Sequence, residues 1–72
     1  MNQVVEVEVV EKADRLVYRV NGGQEQVESG HPGETAGAIP PLLERLQATV
    51  WTITYRDGMQ SSGRRTPGAW RS

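Results

Sequence analysis

The sequence predicts an α+β fold: a small antiparallel sheet in the order β-β-β-α-β-β, one short helix packed on one face, and a flexible C-terminal tail. Three observations predict it. Apolar and polar residues alternate with period two over residues 5–9 and again over 16–20, as half-buried strands require. Asn21-Gly22 and Asp57-Gly58 are dipeptides that readily supply the positive φ angles of tight hairpin turns. Between these turns, Leu42, Leu43 and Leu46 recur at helical spacing just after Pro40-Pro41.

The first two strands fix their own register. If Lys12 faces Arg15 across a turn at Ala13-Asp14, then Val9 faces Tyr18, Val7 faces Val20 and Glu8 faces Arg19. A slip of one residue would set valines against arginines, so the consistent core face is Val7, Val9, Tyr18 and Val20. After Asn21-Gly22-Gly23, a third strand over residues 24–28 holds a single apolar residue, Val27, which suits a polar edge that resists sheet-to-sheet pairing. Residues 29–33, Ser-Gly-His-Pro-Gly, read as loop. Proline disfavours the α region for the residue before it, so the helix is expected to start at Pro41 and run to Ala48, with an extra turn over 36–39. Residues 49–56 are β-branched and aromatic, with Trp51, Ile53 and Tyr55 on one face. Asp57-Gly58 then returns the chain into a last strand over 59–62. The predicted domain spans residues 1–62, and residues 63–72 form an Arg-, Gly- and Pro-rich tail.

Size limits the core. A chain of 72 residues buries only about 60% of the surface its unfolded form exposes. There is no cysteine for a disulfide and only one histidine, so the core has no covalent or metal staple and a homodimer becomes a plausible source of extra burial. No stretch approaches the roughly 20 apolar residues of a membrane span, and residues 1–8 lack the pattern of a secretory signal, so a cytoplasmic location is expected. The net charge of −1 hides a lopsided distribution. Residues 1–34 hold seven acids against three bases, a balance of −4, and residues 35–72 hold two acids against five arginines, a balance of +3.

Catalysis has little to draw on. The two aspartates, Asp14 and Asp57, both stand in turns. Glu6 and Glu8 share a strand face about 7 Å apart, within the span of two cooperating carboxylates, but Arg15 and Arg19 balance them as surface charges. His31 lies in a Gly-Pro loop with no evident orienting carboxylate or nucleophile. Gly30 and Gly33 lack the strand-loop-helix setting and the lysine of a phosphate loop. No enzymatic activity, cofactor or metal is expected.

The expected function is that of a non-enzymatic protein-binding module, an inhibitor or adaptor that occupies a site on a larger partner. Its candidate contacts are an acidic hairpin face with Glu6, Glu8, Arg15 and Arg19, and a tail with Arg64, Arg65, Trp70 and Arg71, since tryptophan and arginine dominate interface hot spots. In size, scarcity of catalytic groups and polarised charge the chain is like small inhibitors and adaptors, including those encoded by phages and mobile elements, a likeness that rests on no motif. One alternative is a nucleic-acid-binding accessory protein that uses the basic tail and its stacking tryptophan. Another is a ligand-binding homodimer in which two copies of His31 and the aromatic face line a shared pocket.

Overall fold

Three antiparallel strands, a helix and two further strands build one mixed sheet. The computed structural model describes residues 4–29 and 36–66. In chain order these form β1 (Glu6–Glu11), β2 (Arg15–Val20), β3 (Gln26–Ser29), a 3₁₀ turn (Ala36–Ala38), α1 (Ile39–Leu46), β4 (Val50–Thr54) and β5 (Gln60–Arg64). The spatial order is β3-β2-β1-β4-β5.

The expected β1–β2 register is present, with Val7 opposite Val20, Glu8 opposite Arg19 and Val9 opposite Tyr18. The Lys12 N–H donates to the Arg15 carbonyl at 2.8 Å and closes the turn. The sheet is not all antiparallel, because β1 and β4 run parallel, with Val7 beside Trp51 and Val9 beside Ile53. Chain geometry requires this. Three antiparallel strands leave the chain at the end where β1 finishes, a returning helix carries it back to the end where β1 starts, and the next strand must run in the direction of β1.

Asn21 and Gly22 take φ of 54° and 69°, and the Gly23 N–H donates to the Val20 carbonyl at 3.0 Å, so the two-residue turn forms as expected. That turn alone would set Gln26 opposite Val17. Instead Val27 pairs with Val17, and β3 starts at Gln26 rather than Gln24. One extra residue therefore lies between turn and ladder, which moves Val27 to one face of the sheet and Glu28 to the other.

The helix starts two residues earlier than expected and includes both prolines, with Ala38 as its N-terminal flanking residue. A proline in the first turn loses an N–H that has no intrahelical acceptor, so the pair is tolerated there. The extra turn expected before the helix is the 3₁₀ segment. At the other end Gln47 takes φ 54°, and the N–H groups of Gln47 and Ala48 cap the Glu44 and Leu43 carbonyls, each at 3.0 Å.

α1 lays Ile39, Leu42 and Leu43 on Val7, Val9, Leu16 and Ile53; with Ala48 these are the buried core. Tyr18, Val20, Leu46 and Trp51 pack around it half-buried. Two buried polar residues tie the ends of the sheet. Thr49 Oγ1 accepts the Val5 N–H at 2.7 Å and donates to the Val5 carbonyl at 3.2 Å. Glu11 accepts the Arg56 N–H at 3.2 Å, joining the β1–β2 turn to the β4–β5 turn. Strand β5 reaches Arg64, and the Arg65 N–H donates to the Thr49 carbonyl at 2.8 Å, so the expected boundary after residue 62 falls inside the sheet. Among the described residues, no helix is long and apolar enough to cross a membrane.

Candidate functional site

The helix covers one face of the sheet, and among the described residues no element covers the other. Alternation places Glu6, Glu8 and Val10 of β1 on the uncovered face, since Val7 and Val9 are buried beneath the helix. The ladder then aligns β2, β3, β4 and β5 beside them. Val10 lies next to Val17, and Val17 next to Val27, giving an apolar stripe across three strands. Val10 and Val17 are half-buried by their neighbours, whereas Val27 is 58% exposed. The stripe continues as Thr54 and Gln60 on β4 and β5.

Charges flank the stripe. Lys12 and Arg15 lie at one end and Glu25 at the other, and with the three valines they line a shallow depression of about 360 Å³. Glu8 faces Arg19 across the ladder, and Arg19 approaches Glu25 at 3.8 Å with both side chains more than half exposed. Such exposed pairs contribute little stability and leave their charges available to a partner.

Five of the expected contact residues share this surface: Glu6, Glu8, Arg15, Arg19 and Arg64, the last placed there by its pairing with Val50. Arg65 lies just past the strand, anchored through its backbone. Trp70, Arg71 and His31 lie outside the described residues. The hairpin face is not acidic. Glu11 is buried on the helix side, and Glu28 faces α1, where Arg45 donates to its two carboxylate oxygens at 3.1 and 2.6 Å. These bonds hold the Glu28 carboxyl below its ordinary value of 4.5 against an opposing effect of burial, and they raise Arg45 in turn. The acids that remain on the uncovered face, Glu6, Glu8 and Glu25, are interleaved with Lys12, Arg15, Arg19 and Arg64, so its sign is mixed.

The valine stripe is absent from the expected contacts, although the sequence carries its signal. Val10 follows Val9, and Val17 sits between Leu16 and Tyr18, so an apolar residue stands in each strand where alternation calls for a polar one. The face of Val27 is set by the extra residue before β3, which the sequence does not signal. Among the described residues, no three His, Cys, Asp or Glu side chains cluster as metal ligands. No protein-family model, curated protein or solved structure matches the chain.

Proposed function

We propose that this chain is a non-enzymatic protein-binding module, an inhibitor or adaptor, whose contact surface is the helix-free face of the sheet. The Val10–Val17–Val27 stripe carries this reading, because a partly exposed apolar strip that no described element covers, rimmed by charged side chains, is the pattern of a protein-contact surface. The partner surface has an apolar ridge, with acidic groups opposite Lys12 and Arg15 and basic groups opposite Glu8 and Glu25. Mixed sign favours such a partner over a nucleic acid, since Glu6, Glu8 and Glu25 would repel phosphates at the positions where the arginines attract them. Val27→Arg tests it. The side chain is exposed, so the variant is expected to keep the wild-type melting temperature and to lose proteins that the wild type captures from cell lysate. Thr52→Ala, on the same face but outside the stripe, should retain them. If Val27→Arg captures the same proteins in the same amounts, the stripe is not the contact surface.

A further inference from the structure

The two edges of the sheet differ in protection. Strand β3 is four residues long and carries Glu28 clamped by Arg45 from the helix. Strand β5, Gln-Ser-Ser-Gly-Arg, has neither proline nor lysine and only one charge, so it lacks most of the devices that blunt an edge. Its hydrogen-bonding pattern is set at both ends. The Tyr55 N–H donates to the Met59 carbonyl and the Arg65 N–H to the Thr49 carbonyl. In an antiparallel ladder alternate residues face the neighbouring strand, so Met59, Ser61, Gly63 and Arg65 turn their backbone groups toward β4, and Gln60, Ser62 and Arg64 turn theirs outward.

We propose that β5 is a self-association edge, pairing antiparallel with β5 of a second copy about a two-fold axis at Ser62. The outward residues form a self-complementary set, because Ser62 meets Ser62 of the other copy while Gln60 and Arg64 meet each other reciprocally. About six backbone hydrogen bonds would form, two for each facing pair. No like charges oppose across the seam, as Arg64 meets an amide. On the helix side Ser61 meets Gly63, and these small residues allow the close approach of a non-hydrogen-bonded pair. The helix lies over the core strands rather than beyond β5, so the two sheets join and present both valine stripes on one side. This inference stands independently of the open-face reading.

Because Ser62 pairs with itself, a charge introduced at position 62 meets its own copy across the axis and opposes association. Light scattering of the full chain at low ionic strength should give a particle of twice the 8.0 kDa chain mass at high micromolar concentration. Ser62→Lys alone and Ser62→Glu alone, each opposing a like charge at the axis, should shift toward the single-chain mass, and an equimolar mixture should recover the dimer. Val27→Arg should leave the dimer intact. A wild type that stays at 8.0 kDa, a dimer indifferent to either charge, or a mixture that fails to recover it would each overturn the proposal. A monomer that protects its β5 amides only when another protein binds would also overturn it, by showing a foreign strand as the occupant.

Discussion

A Cβ at position 63 would lie 2.7 Å from two ring carbons of Trp51, so the glycine is there because the indole of the neighbouring strand covers it. Gly63→Ala should therefore cost about 1–3 kcal/mol through overpacking, lowering the melting temperature by roughly 4–8 °C per kcal/mol. Trp51→Ala should cost about 3 kcal/mol, the low end for a large aromatic, because the ring is half-buried. Combining the two removes the clash, so alanine at 63 should be neutral or stabilising in the Trp51→Ala background, and additive losses in thermal melts would show that the contact does not govern the site. The Glu28–Arg45 pair gives a pH-dependent test. A carboxyl held below 4.5 in the fold contributes stability that is present above that value and lost as pH falls through the lowered one. Wild type should therefore exceed Glu28→Gln in melting temperature at neutral pH, by a small margin since the pair is partly exposed, and the margin should close in acid. A margin that grows in acid would assign the effect to something other than the ion pair. Neither relationship was legible from the sequence. Gly63 reads as the start of a tail, and Glu28 reads as one of the polar residues of an edge strand, because cross-strand neighbours depend on a ladder that spacing alone does not fix.

Elements were legible where pattern and turn chemistry agreed. The β1–β2 register followed from matching valines to valines and Glu8 to Arg19, and Asn21-Gly22 turned where its dihedral preferences placed it. The parallel β1–β4 pairing could have been deduced from the strand count and one returning helix, but strand periodicity is the same in either direction and carries no such information. The start of α1 lies earlier than the sequence predicts because the steric restriction on a residue before proline disfavours the α region without forbidding it, and in the first turn a proline's missing N–H leaves no intrahelical bond unmade. At the other terminus Gln47 holds a left-handed conformation, φ 54°. The steric penalty there is about 1–2 kcal/mol for a residue with a Cβ, against roughly 0.5–1 kcal/mol of extra backbone entropy lost by glycine. Gln47→Gly should thus raise stability by about 0.5–1 kcal/mol, with the denaturant midpoint moving up and the slope unchanged. A midpoint that falls would mean that the Gln47 side chain makes a contact worth more than the strain.

At the scale of the whole molecule, the lopsided charge of the sequence does not become two opposed faces among the described residues. Folding interleaves Lys12, Arg15, Arg19 and Arg64 with Glu6, Glu8 and Glu25 on one surface and turns Glu11 and Glu28 to the other. Charge balance along a chain is one-dimensional, and a sheet that alternates sides at every residue redistributes it. The same closure of the sheet determines where the chain can be shortened. Cutting after Ser62, the boundary that composition suggests, removes Gly63 from Trp51, Arg64 from Val50 and the Arg65 N–H from the Thr49 carbonyl. That truncation should cost about 1–3 kcal/mol in lost ladder bonds and exposed apolar surface. Cutting after Thr66 leaves every one of these contacts in place and removes Trp70 and Arg71, the tail residues expected to anchor a partner. The longer truncated chain should keep the full-length melting temperature and bind a partner captured through the valine stripe more weakly than the full chain does. Melting curves and titrations on the three lengths separate the roles. Should the chain ending at Thr66 melt several degrees lower while binding with unchanged affinity per folded molecule, the tail belongs to the fold, and the contact surface is the uncovered sheet face alone.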